Sequence, residues 1–576
     1  MVRKVSDSHC LLPLKTPLLQ RLPEADDRGR GGESSDGFAQ EFVSLVSSTI
    51  DLETEKMEQC RSLAREEASL WLYKQWISRT HSHKMKFKSP PEPQGAWPIL
   101  GHLPLLRGQV HLARTLGAMA DKYGPVFLLR LGIHPVLVVN NWESMKECFK
   151  TNDKTFASRP QVSESGKYLS FNLASVGFAP HSPYWRDTRK LIIVELLSAH
   201  RLEQFKDVRV SEIDATVKKL YHVSKTNHPN GTIIIGPWLD QLTLSTLTRI
   251  ISGKRYSDTG GVQDPGAANF TRVIKEYLYW GGSYSLSDVI PFPPLRWVDW
   301  GGKLRTVKRV MREMDDIIQT WIQEHVERRD RKEGDEKDFI DVMLSKIDDG
   351  GSYGHSKDTI IKATTLGLII AGTDSTSVNL TWLIAILLNN RPALTRAQKA
   401  IDTQIGKTRW VEDSDIKNLV YLQAIVKETL RLYPPGPLSI AHESIEDCEI
   451  GGYHIPKGTR LIPNLWKLHR DPRIWTDPEK FVPERWLEGN HASGFDVFGN
   501  NYEFNPFGSG RRSCPGTTFA MQVTQLTLAR LIQGFELATP GNEPVDMSEG
   551  LGITLPKVKP IEVLITPRLA SDLYEG

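Results

Sequence analysis

Cys514 sits near the end of Phe507-Gly508-Ser509-Gly510-Arg511-Arg512-Ser513-Cys514-Pro515-Gly516, and an apolar helical pattern follows from Thr517 to Phe535. A thiol so placed has chemical use. The thiolate is the metal ligand, and a helix N-terminus beside Arg511 and Arg512 favours negative charge on sulfur. Glycines let the backbone turn tightly and come close to a large flat ligand. Pro515 suits the first helical turn, where its missing N–H costs nothing. A thiolate with one open face is a soft axial ligand for iron and pushes electron density onto it. Taken alone, a Cys in a Gly-rich turn reads as a buried structural thiol; the whole ten-residue pattern argues for a ligand.

Three further constellations carry chemistry. Ala371-Gly372-Thr373-Asp374-Ser375-Thr376 lies inside the most apolar run of the chain, Leu366 to Leu388. A helical acid–alcohol pair, Asp374 with Ser375, can relay protons, and Thr376 can share that role. The alternative is that these hydroxyls satisfy themselves on helical carbonyls. Glu428 and Arg431 are three apart in Glu428-Thr429-Leu430-Arg431, so they share a helix face, and an exposed pair is the default. Trp185 and Arg189 are four apart after Pro183, again on one face. Without the Cys loop, Trp185 reads as a packed indole and His442, in Ala441-His442-Glu443-Ser444, as an exposed imidazole.

Together these segments resemble the cytochrome P-450 family of haem-thiolate monooxygenases, over about residues 90 to 570 and in the family's order. The resemblance implies that Cys514 ligates haem iron, and that Phe507, Gly508 and Gly516 shape the loop around it. Arg512, Trp185, Arg189 and His442 would reach the haem propionates, where charge-assisted bonds fix orientation. Ala371 and Gly372 would let the central helix press on the haem face. The family has Thr where this chain has Ser375; a hydroxyl remains, without the methyl that restricts its rotamer. Pro483-Glu484-Arg485-Trp486 completes the family's Glu-x-x-Arg set, so Glu428, Arg431 and Arg485 would form a buried structural network. Asn464-Leu465-Trp466-Lys467-Leu468-His469-Arg470-Asp471-Pro472 and the ending Leu564-Ile565-Thr566-Pro567-Arg568-Leu569 are similar to plant microsomal members, the group that includes nicotine demethylases and homoterpene synthases.

The elements that must position these groups are mainly helical. Val126 to Leu131 and Pro135 to Val139 read as strands of a hairpin about Gly132-Ile133-His134. Trp142 to Lys150 and most segments from Ser182 to about Asn390 have helical periodicity. Strand signals return at Cys448 to Tyr453 and Ile561 to Ile565. The expected fold is mainly α with small β-sheets, a single P-450 fold with haem between the central helix and the helix after the Cys. By length, Leu366 to Leu388 could span a bilayer; Asp374 and its hydroxyl neighbours favour a helix through a protein core instead.

The chain has 576 residues, 39% hydrophobic and 24% charged, an ordinary globular balance. A formal net charge of +3 gives no nucleic-acid signature. The five cysteines are scattered, with no CxxC pair, which suits a reducing compartment. Residues 1–66 are polar and Gly-rich in part and are expected to be disordered. Residues 67–95 hold Ser69 to Ile77, a basic run with Arg79, Lys84, Lys86 and Lys88, and the Pro-rich hinge Pro90-Pro91-Glu92-Pro93. The catalytic domain is expected at 96–570 and a short tail at 571–576. Plant microsomal relatives begin with an apolar span. Leu70 to Ile77 is under half the required length and contains Lys74 and Gln75, so residues 1 to about 66 read as a misassigned or alternative first exon.

The implied activity is insertion of one oxygen atom from O2 into a lipophilic terpenoid, alkaloid or phenolic. The cofactor would be haem b. NADPH would act only indirectly, through an NADPH-dependent cytochrome P-450 reductase at the cytosolic face of the endoplasmic reticulum membrane, because the chain shows no flavin or dinucleotide motif. Arg186, Lys190, Arg511 and Arg512 would offer that partner a basic surface. Phe171 to Phe178, Leu368 to Gly372, Pro437 to Ile440 and Gly552-Ile553-Thr554 are apolar candidates for the substrate pocket. Two alternatives remain at this stage: a haem-thiolate isomerase or dehydratase that uses no O2, and a haem-binding protein without productive turnover.

Overall fold

The computed structural model describes residues 88–575, apart from 98, 107, 109, 161–163, 227–231, 256–264, 283–301 and 332–337. The readings made for residues 1–66, for Ser69 to Ile77, for the basic run before Lys88 and for the loop at Ile290–Pro294 lie outside the described residues. One compact unit spans residues 86–291 and 303–576.

Among the described residues, ten helices have a dozen residues or more: α1 Leu112–Tyr123, α2 Pro183–Glu195, α3 Lys206–Thr226, α4 Gly236–Ser252, α5 Pro265–Gly282, α6 Lys303–Asp330, α7 Lys357–Asn389, α8 Arg391–Gln404, α9 Val420–Leu432 and α10 Thr517–Gly534. Nine short strands accompany them. β1 Val126–Leu131, β2 His134–Val139, β7 Arg460–Pro463 and β4 His442–Glu443 pair in the order β1-β2-β7-β4. β3 Thr232–Ile234, β9 Glu562–Pro567 and β8 Phe535–Ala538 form a second sheet, and β5 Cys448–Ile450 with β6 Tyr453–Ile455 a hairpin. The expected class, mainly α with small sheets, is the observed one.

The helix α7 organises the core. Ser356 caps it, accepting from Thr359 N at 3.2 Å. Leu380, Trp382, Leu383, Ala385 and Leu387 are fully buried along its C-terminal half. A helix apolar on all sides belongs inside a large fold. No helix among the described residues is long and apolar enough to cross a membrane. The run Leu366 to Leu388 is therefore a core helix. Its N-terminal half packs with α4, where Leu247 faces Gly372.

Local rules place the site-bearing elements. At α2, Ser182 accepts from Trp185 N at 3.2 Å and Pro183 takes the first turn. The β1–β2 turn has Gly132 at φ 63° and pairs Leu131 with His134, so His134 opens β2 instead of sitting in the turn. The Pro-rich stretch is laced along β1. Leu128 N donates to Pro91 O (2.9 Å), Arg130 pairs with Glu92 (2.8 Å), and His102 bonds Pro93 O (2.8 Å).

Candidate functional site

The loop before α10 is closed by Cys514 N donating to Phe507 O at 2.9 Å. Gly508 and Gly510 have φ of 72° and 70°. At Gly510 a Cβ would collide with the Asp153 carboxylate and come within 2.9 Å of Phe149 O, so this position demands glycine for space as well as conformation. The helix starts at Thr517, with Gly516 at the cap; Pro515 lies in the turn ahead of it, not in the first helical turn as the sequence pattern suggests.

Cys514 has an exposed face while protein surrounds it on its other sides. Burial pushes its thiol up, against the backbone N–H of Gly516, the Arg189 guanidinium and the Thr517 hydroxyl, which favour the thiolate. The helix N-terminus expected to supply a thiolate is thus outweighed within the protein alone. A metal cation on the open face is what deprotonates such a sulfur.

Beside it three guanidiniums converge. Arg512 donates to Ala157 O and Ala179 O, both at 2.6 Å, and to Val176 O at 3.3 Å, and it lies 4.1 Å over the Trp185 ring. Arg189, one turn beyond Trp185, donates to Ser513 O at 2.6 Å and so ties α2 to the Cys loop. Arg159 donates to Ile440 O (2.8 Å), Ala441 O (3.0 Å) and Gly177 O (3.1 Å). Among the described residues each of the three bonds only backbone carbonyls, and no carboxylate pairs with any of them. Burial, then their mutual repulsion, brings Arg512 down to about 9 and Arg159 to about 10. Arg189 is lowered by burial, with the Cys514 sulfur working the other way.

His442 completes the cluster. It is buried, not exposed, and its Nδ1 bonds Phe156 O at 2.8 Å. Burial, then Arg159, holds it well below the usual imidazole range. Arg159 was missed in the sequence: Ser158-Arg159-Pro160 carries no spacing or periodicity that separates it from any other arginine.

Buried cations without acids are costly unless something negative is supplied. A soft ligand with an open face, beside guanidiniums that lack counter-anions among the described residues, fits a haem, whose propionates would be held by Arg159, Arg189 and Arg512. The same geometry removes part of the expected docking surface. Arg512 points inward, which leaves Arg186 and Lys190 exposed on α2 and Arg511 exposed beside its partner Asp153 at 3.1 Å.

On α7, Ala371 is exposed, and Gly372 faces α4. A Cβ at Gly372 would meet the Leu247 side chain at 2.7 Å, so this glycine serves the packing of α7 on α4. The Ser375 hydroxyl donates to Ala371 O at 2.7 Å, the self-satisfied arrangement that the sequence left open. Thr376 is buried. Asp374 is half-buried; burial raises its carboxyl, the Thr554 hydroxyl favours its ionised form, and the Asp240 charge raises it further. In the expected pocket segments Ile440 and Ile553 keep large exposed apolar surfaces.

The predicted Glu428 network is buried, where an isolated Glu-x-x-Arg pair would be exposed. Glu428 and Arg431 are fully buried and joined by two bonds of 2.8 and 2.9 Å. Glu428 also accepts from Val482 N (2.9 Å), Trp486 Nε1 (2.9 Å) and Arg485 Nε (3.3 Å). Arg431 spends its remaining donors on His469 O (2.8 Å), Pro478 O (2.7 Å) and Lys480 O (3.0 Å).

Comparison with known proteins gives the family and the fold. The family model described as Cytochrome P450 matches residues 90–564. The chain is 48% identical to a nicotine N-demethylase of Nicotiana tabacum, over 86% of this chain and 95% of the relative. It is 48% identical to a vinorine hydroxylase of Rauvolfia serpentina (88% and 97% covered) and 45% identical to a flavonoid-6-hydroxylase of Mentha piperita (87% and 96%). A zebra fish cytochrome P450 structure with progesterone superposes with a TM-score of 0.67 at 24% identity, over 79% of this chain and 99% of that one, which shows the same fold.

Proposed function

The chain belongs to the cytochrome P450 family, and from that premise we propose that it is a haem-dependent monooxygenase acting on a lipophilic plant specialised metabolite. The observation that carries this reading is the open face of Cys514 beside three guanidiniums that have no acid partner among the described residues. Bound haem supplies reductive cleavage of O2 and transfer of one oxygen atom to a C–H bond, while the protein supplies ligation, orientation and protons.

Cys514 Sγ would hold the iron. Arg159, Arg189 and Arg512 would fix the propionates, with Trp185 as the platform beneath Arg512 and His442 packed behind. Asp374 would carry the proton on its carboxylate, and Ser375 Oγ, or Thr376 Oγ1, would pass it on once Ser375 turns from Ala371 O. Phe507, Gly508 and Gly516 shape the loop, and Glu428, Arg431 and Arg485 hold the protein behind it.

The names of the relatives point to nicotine, vinorine and a flavonoid, so an alkaloid or phenolic substrate is the reading they support. Electrons would come from NADPH through a cytochrome P450 reductase, docking near Arg186 and Lys190, with the enzyme at the endoplasmic reticulum membrane. The test is a purified protein reconstituted with reductase. Reduced protein under carbon monoxide should show the thiolate-ligated absorption band, and Cys514→Ala should lose it together with all activity. A band retained in Cys514→Ala rejects the assignment. Alkaloid, terpenoid and flavonoid substrates should then be offered in turn. NADPH consumption without product from any of them rejects the monooxygenase reading.

A further inference from the structure

Asp240 stands on α4, opposite the Asp374 turn of α7. The Ser377 hydroxyl donates to Asp240 Oδ1 across the helix interface. Asp374 and Ser377 are three apart on α7 and share a face. Ser377 is 3% exposed, whereas Asp240 is exposed. Asp240 therefore holds this hydroxyl from the solvent side, and Asp374, beside Ser375, lies one helical turn before it and within reach of the Asp240 charge. We propose that Asp240 is the outer acid of the proton path that ends at Asp374. This rests on the relay role given to Asp374 above.

The path balances simply. Solvent protonates the Asp240 carboxylate. The proton leaves Asp240 for the Asp374 carboxylate, either across water or through Ser377 Oγ, which gains one proton and releases its own. Asp374 hands it on by way of the Ser375 hydroxyl, and both carboxylates return to their starting charge. Two groups besides those of α7 face Asp374 among the described residues: the Thr554 hydroxyl from the loop and Asp240 from α4. Asp240 is the charged one. Its negative charge keeps Asp374 protonatable nearer neutral pH, which suits a proton carrier. Asp240 acts through Asp374, so it is a positioning residue and not one that meets substrate.

The experiment compares Asp240→Asn, Asp240→Glu and Asp374→Asn holoenzymes with wild type, with reductase. Haem content and the carbon monoxide band report folding. Product per NADPH reports coupling. Infrared titration of the Asp374 carboxyl, identified by its loss in Asp374→Asn, reports the link between the two acids. Asp240→Asn should keep haem and lose coupling, within the roughly 10²-fold that one acid–base element supplies. It should also move the Asp374 titration to lower pH, and Asp240→Glu should restore both. If Asp374→Asn loses coupling while Asp240→Asn keeps both coupling and the Asp374 titration, the role of Asp240 falls and the relay stands. If Asp374→Asn is itself fully coupled, the relay reading falls and this inference falls with it.

Discussion

Arg431 and Arg485 share the carboxylate of Glu428, whereas Arg159, Arg189 and Arg512 lie in one cluster with no acid among the described residues. Both sets are wholly or largely buried, and both direct donors at backbone carbonyls. The first is complete: Glu428 accepts five bonds and Arg431 reaches three further carbonyls. The second repels itself, and its guanidiniums are held below their ordinary range. Burial costs both sets; what differs is where the neutralising charge comes from. A set that carries its own acid is structural. A set with no acid among the described residues suits an anion from outside, and under the proposed function that anion would be the propionates of haem.

The largest expected effect breaks the complete set. Glu428→Ala strands Arg431 and Arg485 in the interior, which typically costs about 3–5 kcal/mol. That is a large part of the roughly 5–15 kcal/mol that holds a folded protein together. Denaturant titration should show it, and added haem should not rescue the variant. A loss below about 1 kcal/mol would mean that the network is no more than packing.

Arg512→Ala should act the other way. Removing one of three like charges relieves repulsion, so the loss of stability without haem should be smaller than for Glu428→Ala. The affinity for haem should fall instead. One charge-assisted bond is worth about 1.5–3 kcal/mol, or about 10- to 100-fold. A haem with esterified propionates sharpens the test. It should bind wild type more weakly than haem does, while Arg512→Ala should discriminate less between the two. Equal discrimination by both proteins would remove the anion from the explanation of the cluster.

Why one set was legible in the sequence and the other only in part follows from how each is built. Glu428, Arg431 and Arg485 lie in short motifs that are legible through the family resemblance, since their spacing alone predicts an exposed pair, and the Cys514 loop is a continuous ten-residue pattern. Trp185 and Arg189 share a helix face, which periodicity can express. Arg159 comes from an irregular loop and joins the cluster through contacts to Gly177, Ile440 and Ala441 that no local rule contains. The β1–β2 hairpin, the Cys448 to Tyr453 segment, the C-terminal strand and most helices between Ser182 and Asn390 were legible from alternation, turn residues and apolar periodicity, whereas the short strands β3, β4, β7 and β8 were not expected, because their pairing is with distant segments. The inward turn of Arg512, the packing of Gly372 on Leu247 and the self-satisfied Ser375 hydroxyl depend on tertiary neighbours and orientation, which the sequence does not display.

A smaller effect separates the two sets by pH. Each holds a neutral imidazole. His469, whose Nε2 accepts from Asn505 N at 3.0 Å, is brought down to about 3 by burial and by Arg431 and Arg470. His442 is lowered by burial, then Arg159, with a further contribution from Arg512. Unfolded histidine takes up its proton near pH 6.5. Below that pH the unfolded chain binds protons that the folded chain refuses, so stability is full above about 6.5 and falls as pH drops. Each imidazole can contribute a slope of up to about 1.4 kcal/mol per pH unit. Haem should change only one of them. Propionates beside Arg159 and Arg512 would cancel the repulsion felt by His442 and leave the larger effect of burial, so its folded-state titration should rise and its share of the slope should shorten. His469 lies with the neutralised set and should not respond. Stability measured between pH 6.5 and 4.5 with and without haem, in His442→Gln and His469→Gln, isolates the two shares. Haem should flatten the slope that remains in His469→Gln and leave that of His442→Gln unchanged; the same haem response in both variants would erase the electrostatic distinction between the two sets.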